Sequence, residues 1–166
     1  MHELTEPRAS HLRLWVGGFL LLIYGSIVIM ATMWPTPLDR GYEQSIERVL
    51  DVLHRNGVPR WFDYSTLEFS ANIALFVPVG FLVALLLPFG FWWLALLICP
   101  ALSVAIELTQ GLFLAARFAT LSDVSANSIG AVLGVLAAII LRALVRQRDQ
   151  KVVARALWAD RSKRAA

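Results

Sequence analysis

Residues 91–114 read FWWLALLICPALSVAIELTQGLFL, a stretch in which Glu107 is the one charged residue. A helix of this length, at about 1.5 Å per residue, is long enough to cross the ~30 Å hydrocarbon core of a membrane. The stretch therefore predicts a transmembrane helix. It also raises a question, because a carboxylate in hydrocarbon costs several kcal/mol unless the protein supplies a partner.

Three further apolar stretches predict helices of the same kind. We expect four spans, at about residues 14–34, 69–87, 91–114 and 123–141. The chain of 166 residues is 58% hydrophobic with a mean hydropathy of +0.64, which is more apolar than soluble globular domains. We predict an all-α fold, an integral membrane bundle of four transmembrane helices.

The segment between the first two spans predicts a helix on the outer membrane surface. Four apolar residues follow the i, i+3, i+4, i+7 spacing of an amphipathic helix: Ile46, Val49, Leu50 and Leu53. The turn residues 56–59 (Asn-Gly-Val-Pro) end it, and Trp61 and Phe62 are typical of the lipid–water interface. We expect this helix to lie in the plane of the interface.

Basic residues are concentrated after the last span, where the chain beyond Leu141 carries eight basic and two acidic residues. Basic residues next to spans favour the cytoplasm, so we expect a plasma-membrane protein with both termini inside. Residues 1–13 would be a cytoplasmic N-terminus, 14–145 the membrane domain and 146–166 a basic cytoplasmic tail. Attraction to anionic lipid explains this tail more simply than nucleic acid does, and we expect no nucleic-acid partner.

Metal and disulfide chemistry have no sequence pattern to support them. Cys99 is the single cysteine, which excludes an intrachain disulfide. The histidines His2, His11 and His54 are scattered and give no metal-ligand spacing. We therefore expect neither a metal nor another cofactor.

Polar side chains within the spans gather toward the outer end of the predicted bundle. They are Glu68 and Asn72 at the start of the second span, Glu107 and Gln110 near the end of the third, Asp123 and Asn127 at the start of the fourth, and Arg117 in the loop between. Spacings of three or four residues place each pair on one helix face. Intramembrane polar groups mark functional sites by default, so these seven residues are the predicted ligand-binding site.

Each of these residues also has a structural explanation. Asn and Gln in a span often join helices, at about 0.6 kcal/mol on average. Asp123 suits the N-cap of its helix, and Arg117 suits either an interfacial position or an ion pair with a carboxylate. Glu107, two turns inside its helix, is the strongest functional candidate. We expect it to be protonated at neutral pH or matched by a cationic ligand.

The order of the polar motifs resembles the VanZ-like family of membrane proteins. The second span carries N-x3-F-x-P-x-G from Asn72 to Gly80, and the third carries S-x3-E-x2-Q from Ser103 to Gln110. Arg117 follows, and then the fourth span carries D-x3-N-x2-G-x3-G from Asp123 to Gly134. The resemblance covers roughly residues 68–138. Glycines spaced four apart at the end of the last motif would let a neighbouring helix approach closely.

The resemblance implies a bacterial envelope protein, since the family is named for an accessory protein of glycopeptide-resistance clusters associated with teicoplanin tolerance. Our leading hypothesis is a binding module whose outer pocket takes a membrane lipid, a lipid-linked envelope precursor or a lipoglycopeptide. An intramembrane enzyme with Glu107 or Asp123 as acid–base is the second hypothesis, although no His, Cys or Lys lies near them. A purely structural membrane subunit is the third.

Overall fold

The computed structural model describes residues 11–34, 41–114 and 120–165. Within these ranges the regular elements are α1 His11–Thr32, α2 Glu43–Arg55, α3 Tyr64–Leu86, a 3₁₀ helix Phe89–Leu94, α4 Ala95–Phe113 and α5 Leu121–Ala165. Four segments are long and apolar enough to cross a membrane: Arg13–Thr32, Tyr64–Leu86, Phe89–Phe113 and Leu121–Arg155. The predicted all-α membrane bundle is confirmed.

Two helices extend beyond the spans expected from hydropathy. The fourth span, expected at 123–141, belongs to a helix that continues unbroken to Ala165. The second, expected at 69–87, begins instead at Tyr64 because Asp63 caps it: the Thr66 backbone N–H donates to Asp63 Oδ1 at 3.0 Å. This bond is the largest cause that holds the pKa of Asp63 below its usual value. The cap therefore contributes fully to the stability of the fold at pH values above the ordinary pKa of Asp. This contribution is lost as the pH falls through the lowered pKa of Asp63.

The amphipathic helix predicted between the first two spans is α2. Leu50 is buried, whereas Val49 and Val52 are exposed. Gly57, with a φ of +97°, makes the turn after the helix, and His54 Nε2 lies 3.0 Å from the carbonyl oxygen of Phe62 beyond that turn. An interfacial helix presents exposed apolar residues to lipid, and α2 has such residues. The location of α2 on the membrane surface stays a prediction.

Consecutive spanning helices run in opposite directions, so α3 and α5 are parallel, and the bundle has two distinct ends. At the polar end, Gln110 Nε2 of α4 donates to the Thr32 carbonyl of α1 at 2.7 Å. At the basic end, Arg142 Nη2 of α5 donates to the carbonyls of Leu85 and Leu87 at 2.5 and 2.6 Å. Gln110 and Arg142 therefore mark opposite ends of the bundle. The polar residues of the predicted site that the structure describes lie at the first end, and the basic residues of α5 lie at the second.

The closest packing in the bundle is between the backbones of α3 and α5. A Cβ atom added at Gly130 would overlap the Ile73 carbonyl, and one added at Gly134 would overlap the Val77 carbonyl. On the other helix, a Cβ at Gly80 would overlap the α5 backbone in the same way. The two glycines of the fourth-span motif therefore allow the close approach that their spacing predicts, and Gly80 completes it.

We expect Gly134→Ala to lower the free energy of unfolding by about 1–3 kcal/mol, because the new methyl group must displace the α3 backbone. Thermal and denaturant unfolding in detergent would measure the loss. The matched control is Gly25→Ala in α1, where an added Cβ meets nothing within 4 Å. Equal stability of the two variants would show that α3 and α5 are not in backbone contact.

Candidate functional site

One face of α4 carries polar side chains into the bundle. Ser103, Glu107 and Gln110 follow at i, i+4 and i+7, and their exposed fractions are 0%, 5% and 5%. Because α4 runs from the basic end to the polar end, Ser103 lies deepest and Gln110 nearest the surface. The three residues form a buried polar column in a predominantly apolar helix.

Asp123 links α3 to α5 and is partly buried. Asn72 Nδ2 donates to its Oδ1 at 2.7 Å, and Thr120 Oγ1 donates to its Oδ2 at 2.7 Å. Both carboxylate oxygens therefore accept a hydrogen bond. Through these two bonds Asp123 connects α3 to the start of α5.

Thr120 occupies the N-cap position of α5, so the alternative in which Asp123 is the cap is wrong. α5 begins at Leu121, and the Asp123 backbone N–H donates to Thr120 Oγ1 at 3.0 Å. In the usual capping box the third helical residue also accepts from the N–H of the cap. Here a residue of another helix does so: Thr120 N donates to Glu107 Oε2 at 3.1 Å. The carboxylate of α4 thereby fixes the start of α5.

We call Asn72, Glu107, Thr120 and Asp123 the carboxylate network, since hydrogen bonds connect all four. The network joins α3, α4 and α5 at the polar end. It lies at the N-terminus of α5, where the helix dipole favours negative charge. This placement offsets part of the cost of burying Glu107. No group of three His, Cys, Asp or Glu that could hold a metal ion occurs in the part of the chain that the structure describes.

A second polar pair lies deeper in the bundle. Asn127 Nδ2 donates to Ser103 Oγ at 2.9 Å, and both residues are buried. Asn127 Oδ1 has no hydrogen-bond partner within residues 11–34, 41–114 and 120–165. An unsatisfied buried polar atom costs about 1–3 kcal/mol. Asn127 Oδ1 is therefore a buried hydrogen-bond acceptor without a donor among the described residues, deeper in the bundle than the carboxylate network.

The structure brings some of the predicted site residues together and places others elsewhere. Asn72, Glu107 and Asp123 meet in the carboxylate network, and Asn127 lies below them. Gln110 is buried nearby, but its amide bonds to the last turn of α1 and satisfies a carbonyl that the helix end leaves open. Glu68 is exposed on α3. Arg117 lies outside the described residues.

Thr120 and Ser103 belong to this constellation although the sequence analysis did not select them as site residues. The spacing of each residue from a predicted site residue could have selected it. Thr120 precedes Asp123 by three residues, which is the spacing of a capping box. Ser103 precedes Glu107 by four residues and so shares its helix face.

Comparison with known proteins identifies a family. The profile of the VanZ/LLP1 family matches residues 19–142, a stretch that overlaps all four spans and contains the whole carboxylate network. No curated protein and no solved structure matches the chain. The matched stretch includes the residues that build the polar end.

We expect Asn72 and Asp123 to be energetically coupled. Asn72→Ala should lower the free energy of unfolding by about 0.6–1.7 kcal/mol, the range found for hydrogen bonds between membrane helices. In an Asp123→Ala background the same change should cost less, which a double-mutant cycle measures. Ser26→Ala is the control, because that exposed hydroxyl bonds within its own helix. Strictly additive losses would mean that the two side chains do not interact.

Proposed function

The chain belongs to the VanZ/LLP1 family, and we propose that it binds the head group of an amphiphilic or lipid-linked cell-envelope molecule at its polar end. The observation that carries the proposal is the joining of two carboxylates, Glu107 and Asp123, through Thr120 at one end of an apolar bundle. The proposed binding residues are Glu68, Asn72, Glu107, Gln110, Arg117, Asp123 and Asn127.

The chemistry of the network favours a ligand that donates hydrogen bonds or carries positive charge. Ionised carboxylates only accept hydrogen bonds, and Asn127 Oδ1 adds a further acceptor. Sugar hydroxyls, amides and amines are the matching donors. Lipid-linked envelope precursors carry such groups, and so do lipoglycopeptides of the teicoplanin type. A contribution to teicoplanin tolerance is therefore part of the proposal.

The surroundings of the network favour a ligand with an apolar chain. At the polar end, α4 exposes Leu108, Leu112 and Phe113, and α5 exposes Leu121. In a bilayer, these apolar side chains would contact acyl chains. An amphiphile could lay its chain against them while its head group meets the acceptors of the network. A fully water-soluble ligand would make no use of this surface.

Acid–base catalysis within the membrane is the second candidate function. It is favoured by the hydrogen bond of 2.7 Å between the Thr120 hydroxyl and Asp123, a hydroxyl–carboxylate pair of the kind that activates a nucleophile. Glu107, bonded to the same residue, would be the second acid–base group. A structural subunit, in which the network only joins helices, is the third.

We expect Glu107→Gln and Asp123→Asn to weaken ligand binding by about tenfold or more, because a hydrogen bond to a charged group is worth about 1.5–3 kcal/mol. Both substitutions keep the shape of the side chain and remove its charge. The probes are fluorescent teicoplanin and a fluorescent polyprenyl-linked muropeptide, titrated onto the full chain in nanodiscs. Asp51→Asn, an exposed carboxylate of α2, is the matched control.

The outcomes of this titration separate the three functions. Wild-type affinity in both variants, with unchanged melting, would overturn the binding proposal. Wild-type binding by Glu107→Gln alone would show that Glu107 acts in its protonated form. Conversion of the muropeptide to a new product, lost in Thr120→Val, would establish an enzyme. Unfolding of both variants without any probe binding by the wild type would leave a structural subunit.

We propose that the polar end faces the cell exterior, because the basic tail favours the cytoplasm. In a Cys99→Ser background, Arg60→Cys should react with a membrane-impermeant maleimide in intact bacterial cells. Arg155→Cys, exposed on α5, should react only after the cells are permeabilised. The opposite labelling pattern would place the polar end in the cytoplasm and exclude an outer-leaflet site.

A further inference from the structure

A groove of about 860 Å³ lies at the basic end, between the start of α1, the end of α3 and the middle of α5. Much of its lining is apolar: Leu85, Phe89, Leu141, Val145, Val153 and Leu157. Among the residues that the structure describes, three guanidinium groups also line it, those of Arg13, Arg142 and Arg146, together with one carboxylate, that of Asp149. We call this the basic groove, since an apolar trough carries an excess of positive charge.

The backbone of α3 holds Arg142 in position. Its Nη2 donates to the carbonyls of Leu85 and Leu87, where the helix ends and carbonyls lack partners of their own. Its Nε and Nη1 are buried and have no hydrogen-bond partner among the residues that the structure describes. The guanidinium of Arg13 lines the same groove. A fixed cation with unused donors therefore lies beside a second cation.

Arg146 is positioned at the edge of the same groove. Its guanidinium carbon lies 5.8 Å from the centre of the Phe89 ring, within the range of a cation–π contact. Arg146 follows Arg142 by one helical turn, so both project from the same face of α5. Two guanidinium groups of one helix and one of another thus surround the same space.

We propose that the basic groove binds an anionic phospholipid, with its phosphate among Arg13, Arg142 and Arg146 and an acyl chain on the apolar lining. A phosphate offsets the repulsion between Arg13 and Arg142, and the planar fork of arginine suits its oxygens. Inorganic phosphate would use the guanidinium groups but not the apolar lining, which is why the occupant is a lipid. This inference rests on the basic end alone and does not depend on the proposed function of the polar end.

The test compares full-length chains that lose equal charge in different places. The groove variant is Arg13→Gln with Arg146→Gln, and Arg142 is kept because it secures the end of α3. The control is Arg148→Gln with Arg155→Gln, which line another part of the α5 surface. Each detergent-solubilised chain is titrated with dioleoylphosphatidylglycerol, with dioleoylphosphatidylcholine and with inorganic phosphate, and melting temperature and native mass spectra are recorded.

We expect dioleoylphosphatidylglycerol to raise the melting temperature of the wild type and the control and to appear bound in their mass spectra. The groove variant should bind it about 25-fold more weakly, since each basic residue near an anionic lipid contributes about fivefold. If the groove variant fails to fold, Arg146→Gln alone serves, with about a fivefold loss expected.

Three results would overturn the proposal. Equal stabilisation by dioleoylphosphatidylcholine would show that the groove does not select charge. Equal stabilisation by inorganic phosphate would show a phosphate site rather than a lipid site. An equal loss of affinity in the control would show that the overall charge of the tail, and not the groove, attracts the lipid.

Discussion

A carboxylate inside an apolar bundle needs a partner that the protein itself supplies, and Glu107 has one in the backbone N–H of Thr120. This hydrogen bond also takes the place of one of the two bonds of an ordinary capping box, the one that the backbone N–H of the cap residue donates. It thereby fixes where α5 begins. Once α5 begins there, Asp123 lies within reach of Asn72 on α3. The polar end of three helices thus depends on one contact between a side chain and a backbone.

The glycines of α3 and α5 make the polar contacts geometrically accessible. Short amides and carboxylates reach across a helix interface only when the backbones approach closely. Gly130 and Gly134 allow that approach one and two turns below Asn127, and Gly80 allows it from the facing helix. A bulkier residue at any of these positions would separate the helices and stretch the bond between Asn72 and Asp123. Packing and polar chemistry are therefore coupled in this fold.

Hydropathy and helix periodicity were sufficient to predict the four spans, the amphipathic α2 and the shared faces of the polar pairs. They could not predict partners on other helices. Gln110 bonds to Thr32, 78 residues away in sequence, and no local pattern identifies that carbonyl. The cap of α5 was expected at Asp123, but Thr also suits an N-cap, and Thr120 takes that position with its backbone N–H bonded to Glu107 of a different helix. The basic groove could not be predicted because it forms only when the start of α1, the end of α3 and the middle of α5 are placed together.

The two ends of the bundle offer opposite chemistry, and α5 contributes to both. Asp123 and Arg142 are 19 residues apart on this helix, which at 1.5 Å per residue is about 28 Å. That separation is close to the ~30 Å thickness of the hydrocarbon core. A helix of this spacing places its carboxylate near one interface and its guanidinium near the other, where head groups are within reach. The acceptors of the polar end and the donors of the basic groove would then each face the leaflet on their own side, so one bundle can meet different amphiphiles on its two sides.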